Sequence, residues 1–133
     1  NFAENFLKNT EYGHIAREVA TIIREHSYSS NRKASTIESI ILQDADRLDA
    51  LGAIGIARVF SYSAHLNREL YDPKNPPSGG SLAHFFEKIL RLPEAMNTPL
   101  AKNIAVERSR IIKNFIEEFI KELSLQDISI EDS

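Results

Sequence analysis

The sequence contains no cysteine, no tryptophan and a single methionine among its 133 residues. The absence of cysteine excludes disulfide bonds and thiolate chemistry, and it is typical of a reducing compartment such as the cytosol. The sequence also lacks an uninterrupted run of about 20 apolar residues, the length that spans a bilayer, and it opens without the basic stretch of a secretory signal. These absences predict a cytoplasmic protein that does not enter a membrane.

Neither sign of charge predominates, because 16 lysines and arginines face 19 aspartates and glutamates, which gives a net charge of −3. Proteins that read nucleic acid usually carry a basic patch or stripe, and this sequence has none, so we expect no nucleic-acid partner. An apolar content of 42% is ordinary for one globular domain. We expect residues 1–124 to form that domain and residues 125–133 to form an acidic C-terminal tail.

Apolar residues recur at helical spacing along most of the chain, and no segment alternates as a strand does. The pattern predicts an all-α fold with a short opening helix and further helices at 11–27, 49–66, 81–92 and 99–124. Another helix is predicted to begin after Ser35 or Thr36 and to run up to the acidic cluster described below. The stretch 71–80 is rich in proline and glycine and is expected to be a surface loop. The apolar stripe expected on the last helix consists of Leu100, Ile104, Ile111, Phe115, Phe119 and Leu123.

An acidic cluster, Asp44, Asp46 and Asp49 with Arg47 among them, follows an apolar segment and precedes a helix of small residues. Charges in such a setting cost free energy unless they are paired or bound to a metal. If one helix runs through the cluster, Asp46 shares a face with Asp49, and Arg47 shares another with Arg58. A carboxylate could then hold a divalent cation while an arginine meets phosphate oxygens, but structural ion pairs explain the same pattern.

Two glycines, Gly52 and Gly55, lie in the helix predicted at 49–66. Glycine inside a helix costs about 1 kcal/mol relative to alanine. We therefore expect another backbone or a ligand to approach the chain closely at these positions.

The chain from Gln43 to Arg58 resembles a block of the HD-superfamily phosphohydrolases, and the likeness continues through 71–73, 84–90, 96–98 and 105–108. Members of that superfamily bind a cation through a histidine, a His-Asp pair and a distal aspartate, and the resemblance implies that Asp46 is the distal aspartate. None of the four histidines here is followed by aspartate. The chain is therefore expected to be the C-terminal portion of an HD-domain-like helical bundle, with the other ligands encoded before Asn1.

The resemblance implies a metal-dependent phosphohydrolase that uses Mn²⁺ or Mg²⁺ on a phosphate ester or anhydride, such as a nucleotide or another phosphorylated small molecule. The candidates for catalysis are Asp46, which is also the candidate metal ligand, Arg47 and Asp49. The candidates for substrate contact are His26, Arg58 and Asp44. The alternative is a non-catalytic helical interaction module, either a degenerate HD paralogue or a fragment. A homo-oligomer is also left open.

Overall fold

The computed structural model describes residues 2–26, 32–72, 74 and 80–124. Every regular element in this part of the chain is a helix, which confirms the all-α prediction. The helices are α1 (Phe2–Leu7), α2 (Ala16–Glu25), α3 (Ile37–Asp49), α4 (Gly52–His65), α5 (Ala83–Glu87) and α6 (Pro99–Leu123), with 3₁₀ helices at Gly13–Ile15 and Ile89–Ala95. None of them combines the length and the apolar content that a membrane crossing needs. The expected acidic tail, 125–133, lies outside the described residues.

Two threonines fix the starts of α3 and α6. The Thr36 hydroxyl accepts a hydrogen bond from the Ser39 amide at 3.1 Å, and the Thr98 hydroxyl accepts one from the Ala101 amide at 3.2 Å. Each bond satisfies an amide that has no partner within its own helix. Pro99, whose missing N–H costs nothing at the first position, follows Thr98. Both starts agree with the sequence prediction.

The chain breaks between α3 and α4, where the sequence pattern indicated a helix from Asp49 onward. Leu51 is extended, with φ −110° and ψ 162°, and it is buried in the core. Gly52 has φ +72°, a left-handed conformation that glycine adopts without steric cost. The faces predicted to continue from α3 into α4 therefore do not, and that part of the expectation is wrong.

Both glycines of α4 have close neighbours: at Gly55 the neighbour is backbone, as expected, whereas at Gly52 it is a side chain rather than a backbone or a ligand. A Cβ on Gly52 would lie 3.3 Å from the Cγ atom of Arg108, and a Cβ on Gly55 would collide with the carbonyl oxygen of Ala50. At Gly52 the neighbour is a side chain of α6. At Gly55 it is the backbone of the turn that precedes α4, so the glycine lets the chain fold back tightly.

The segment predicted as one helix at 81–92 is divided in two. The α5 helix ends at Glu87, and Pro93, which was expected to end the segment, lies inside the following 3₁₀ helix. Ser81 does not cap α5. Its side chain is buried, and its hydroxyl donates to the Glu69 carbonyl at 2.9 Å.

The core is built where α4 and α6 pack together and α5 with the second 3₁₀ helix closes one side. Four phenylalanine rings meet there: Phe60, Phe85, Phe115 and Phe119. The most buried residues of α6 are Ala101, Ala105, Ser109, Ile112 and Ile116. The predicted α6 stripe is thus only partly right, since Leu100, Ile111 and Leu123 are exposed. Ala101 and Ala105 allow α6 to pack closely against its neighbours, and a search for large apolar side chains does not detect such positions.

Candidate functional site

Asp44 is buried at the contact between α3 and the start of α6. Its Oδ1 accepts from the Asn97 amide at 2.7 Å and from the Asn97 side chain at 3.1 Å. Its Oδ2 accepts from the Thr98 amide at 2.9 Å and from the Thr98 hydroxyl at 2.7 Å. Hydrogen bonds to an ionised carboxylate are among the stronger ones in proteins. Asp44, a sequence candidate for substrate contact, is placed to hold two packed elements together.

Gln43 and Arg47 extend this buried polar network across α3. The Gln43 amide nitrogen donates to the carbonyls of Glu25 and Arg32 at 2.8 and 2.9 Å. The Arg47 guanidinium donates to the Gln43 side-chain oxygen at 3.1 Å and to the Ala95 carbonyl at 2.5 Å. The Arg47 side chain is 9% exposed, with Nη1 3.8 Å from Asp44 Oδ1. Its charge is directed into the protein, where it joins α3 to the second 3₁₀ helix.

Arg108 fastens the other end of α3. Its Nη1 donates to the Leu48 carbonyl at 2.6 Å, and its methylene carbons lie against Gly52. The Leu48 carbonyl also accepts from the Leu51 amide at 3.2 Å, so the guanidinium is its second donor, and its positive charge is favourable at the C-terminal end of the helix dipole. Sequence reasoning gave Arg108 no role, although it belongs to the quoted stretch 105–108.

Asp46 and Asp49 lie on the opposite, exposed side of α3. Asp49 forms an ion pair with Arg58 of α4, and both side chains are more than half exposed. The Asp46 side chain makes no hydrogen bond or ion pair with any other described residue. The three acids thus differ in their surroundings: Asp44 is fully hydrogen-bonded, Asp49 is paired at the surface, and Asp46 is open to a ligand.

Leu42 is the apolar neighbour of Asp46 on α3, one helical turn before it, and it is 39% exposed. Ile37 and Ile41 are exposed to 60% and 58%, but they lie nine and five positions before Asp46 and face away from it on the helix. Isolated apolar side chains at a surface are ordinary.

His26 is partly buried at the end of α2, and its Nδ1 lies 2.6 Å from the Ile23 carbonyl oxygen. That contact fixes the ring to its own helix. His14 makes a similar local contact with the Glu11 carbonyl at 3.1 Å. No contact in the described part of the chain connects His26 with the acidic cluster.

Arg58 also lines a cleft of about 640 Å³ between α4, α5 and the start of the second 3₁₀ helix. His65, His84 and Lys88 line the same space, and we call these four residues and the space between them the basic cleft. Burial, together with the charges of Lys88 and Arg68, lowers the pKa of His84 from its ordinary value of 6.5, while Glu87 opposes the shift. The surroundings of His84 therefore favour its neutral form.

A divalent cation needs several oxygen or nitrogen ligands, most of them from fixed side chains. Within the described ranges, no three histidines, aspartates or glutamates lie close enough together to hold one. Asp46 is available as a single carboxylate. These residues alone therefore do not form a metal centre, and Asp46 could contribute only as one ligand among others.

Comparison with known proteins agrees with this architecture. Residues 1–51 match the family model described as HD domain. The uncharacterized protein YpgQ of Bacillus subtilis is 38% identical over 112 residues, which cover 81% of this chain and 53% of YpgQ. The chain thus spans about half the length of that curated relative.

Solved structures show the same likeness. The crystal structure of B. subtilis YpgQ in complex with ADP aligns with a TM-score of 0.75 at 36% identity, over 91% of this chain and 62% of that chain. The crystal structure of an HD-superfamily hydrolase from Bacillus thuringiensis aligns with a TM-score of 0.64 at 41% identity, over 89% and 66% of the two chains. These matches confirm the resemblance predicted from the residues around Asp46: residues 1–51 match the HD domain family, and the solved structures similar to the chain include an HD-superfamily hydrolase.

Proposed function

We propose that this chain takes part in metal-dependent hydrolysis of a phosphate ester or anhydride, with Asp46 as one ligand of the divalent cation. The single observation that carries the proposal is the difference between Asp46 and its neighbours. Asp44 accepts four hydrogen bonds and Asp49 pairs with Arg58, whereas Asp46 is exposed and without a partner among the described residues.

Asp44 and Arg47 support this role by fixing α3 rather than by meeting substrate. Their bonds to Thr98 and Ala95 join α3 to the elements packed against it. A metal-binding carboxylate must be held close to its working geometry, and a helix anchored along its buried face provides that rigidity. Asp44 and Arg47 are therefore positioning residues in this proposal.

The remaining ligands of the cation must come from groups other than the described residues. The exposure of Asp46 and of Leu42, one turn before it on α3, supports this, because it leaves room for a further protein surface there. A second copy of the chain is one such surface, so a homo-oligomer stays part of the proposal.

The substrate class is a nucleotide or another phosphorylated small molecule. YpgQ, at 36% identity in its structure with ADP, supports the choice. The arginine beside the acidic face supports it as well, since Arg58 can exchange its exposed carboxylate partner for a phosphate group at little cost.

Calorimetric titration of the full-length protein with Mn²⁺ tests the proposal, together with an assay of nucleotide and phosphate ester hydrolysis. Asp46→Ala is expected to abolish both cation binding and turnover. Glu38→Ala is the matched control, because Glu38 is another exposed carboxylate on α3, and it should retain both. Unchanged Mn²⁺ affinity in Asp46→Ala would remove Asp46 from the metal site.

The alternative function is a non-catalytic helical module that binds another protein surface. It is favoured by the finding that no group of three metal-binding side chains exists among the described residues. Absence of Mn²⁺ binding and of turnover in the unmodified full-length protein would support this alternative.

A further inference from the structure

The imidazole ring of His26 is held in one orientation at the end of α2. Its backbone N–H donates to the Ile22 carbonyl, so the residue continues the last turn of the helix. Its Nδ1 atom lies 2.6 Å from the Ile23 carbonyl oxygen. A carbonyl oxygen can only accept a hydrogen bond, so Nδ1 is the nitrogen that carries the proton. In the neutral ring the lone pair is then on Nε2.

The Nε2 atom of His26 is available to a ligand. The residue is only partly buried, and among the described residues Nε2 has no hydrogen-bond partner. Histidines that act through one ring nitrogen commonly donate from the other nitrogen to a backbone carbonyl or a carboxylate, which fixes both the tautomer and the direction of the ring. The contact with Ile23 provides that arrangement here.

Gln43 connects the backbone beside His26 to the helix that carries Asp46. Its side-chain nitrogen donates at 2.8 Å to the carbonyl of Glu25, the residue immediately before His26. Gln43 is buried, and its side-chain oxygen accepts from Arg47 at 3.1 Å, so the amide is held from both sides. Asp46 follows Gln43 by three residues, or about 4.5 Å along the helix axis. No hydrogen bond or ion pair joins His26 to Asp46 in the described structure, so a ligand can lie between them.

We propose that His26 is a catalytic residue that accepts a proton from the water attacking the phosphate. As the water oxygen bonds to phosphorus, its proton passes to Nε2 of His26. The bond from phosphorus to the leaving oxygen breaks with its electron pair on that oxygen, which then takes the proton back from the ring. The proposal rests on the proposed function, because the phosphate concerned is the one bound beside Asp46.

Nitrogen NMR on the full-length protein tests the geometry, first without metal and then with Mn²⁺. His26 is expected as the Nδ1–H tautomer. Mn²⁺ is paramagnetic and broadens the signals of nuclei near it, so one equivalent should broaden the ring signals of His26. The matched control is His14, whose Nδ1 also lies near the carbonyl three residues earlier, at 3.1 Å from that of Glu11, but at an exposed position before α2. An Nε2–H tautomer of His26, or broadening of His26 no greater than that of His14, would overturn the proposal.

Hydrolysis of ATP and of para-nitrophenyl phosphate in Mn²⁺ tests the chemistry. His26→Gln should lower kcat about hundredfold, because a positioned proton acceptor is lost, and should leave KM and the affinity for Mn²⁺ unchanged. His14→Gln should change none of these quantities. An unaltered kcat in His26→Gln, or a higher KM with the same kcat, would overturn the proposal. If His26→Gln does not fold at the assay temperature, the NMR measurements on the unmodified protein decide the matter.

Asp46→Asn separates this proposal from the proposed function. It should lose Mn²⁺ binding yet keep the Nδ1–H tautomer of His26. Loss of Mn²⁺ binding in Asp46→Asn, combined with unbroadened His26 signals in the unmodified protein, would refute the role of His26 and leave the hydrolase proposal intact. Mn²⁺ binding retained in Asp46→Asn, with His26 still broadened and kcat lowered in His26→Gln, would refute Asp46 as a ligand and retain His26.

Discussion

Asp44 and Thr98 form a relay between two helices. The Thr98 hydroxyl donates to Asp44 Oδ2 at 2.7 Å, and the same hydroxyl oxygen accepts from the Ala101 amide at 3.2 Å. The residue that caps α6 is thus itself oriented by a buried carboxylate on α3. The start of α6 and the middle of α3 are fixed by one chain of hydrogen bonds.

The hydrogen bonds of Asp44 predict that replacing Asp44 and replacing Asp46 have different effects on the stability of the protein. Asp44→Ala should lower the free energy of unfolding by about 3 kcal/mol, because it leaves Arg47 without its nearby buried charge and Thr98 without its acceptor. Asp46→Ala should leave stability unchanged in the absence of metal. Urea unfolding of both variants in chelator checks this, and a large loss of stability in Asp46→Ala would show a structural role for that residue.

The two glycines of α4 should tolerate substitution poorly and to different degrees. Gly52→Ala places a side chain at positive φ beside Arg108 and should cost about 1–2 kcal/mol. Gly55→Ala should cost more, because the Ala50 carbonyl that opposes it is backbone and cannot move aside without disturbing the turn. Thermal melts measure both. Ala57→Leu, at an exposed position of α4, is the control, and a melting temperature for Gly55→Ala equal to that of wild type would contradict the tight turn.

Arg108→Met should destabilise the protein by about 1–2 kcal/mol. The substitution keeps apolar contact with Gly52 but removes the charged hydrogen bond to the Leu48 carbonyl, which then has only the Leu51 amide as its donor. Denaturant unfolding is the measurement. The control is Arg110→Met, which removes an exposed arginine two residues further along α6 that pairs with Glu107, and it should have little effect. Equal losses of stability in both variants would argue against a stabilising role for the Arg108–Leu48 hydrogen bond.

His84 should make the fold sensitive to acid. Burial and the charges of Lys88 and Arg68 lower its pKa, with Glu87 opposing, and Arg58 and His65 line the same cleft. The unfolded chain therefore binds a proton at higher pH than the folded one, so this contribution to stability is present above about pH 6.5 and is lost as the pH falls through the lowered pKa.

Urea unfolding at about pH 7.5 and about pH 5.5 measures this effect. The loss of stability between the two should be smaller in His84→Gln than in wild type. His14→Gln, at an exposed position, is the control and should behave as wild type. An identical loss in His84→Gln would show that other groups cause the acid sensitivity.

Sequence reasoning succeeded where the signal is local. The starts of α3, at Ser35 or Thr36, and of α6, at residue 99, were predicted because the residues that begin a helix act on amides only a few positions away. The end of α3 was missed because Asp49 and Ala50 are both compatible with a helix. The helix ends there because Leu51 is buried in the core and Gly52 has a positive φ.

The site was harder to predict because its contacts are distant along the chain. The partner of Arg47 is a carbonyl 48 residues away, and the partner of Arg108 is 60 residues away. No pattern of spacing identifies a backbone acceptor at such a separation. Family resemblance selected Asp46, and the structure supplied the reason that Asp44 differs from it. The basic cleft was also missed, apart from Arg58, since Lys88 and the two histidines meet only after folding.

The amide of Gln43 joins α3 to two separate parts of the chain. One nitrogen atom binds the carbonyls of both Glu25 and Arg32, so the two ends of the intervening stretch are brought together by a side chain of α3. A single amide on α3 therefore fixes both the end of α2 and the backbone at Arg32, and loss of the Gln43 side chain would release both contacts at once.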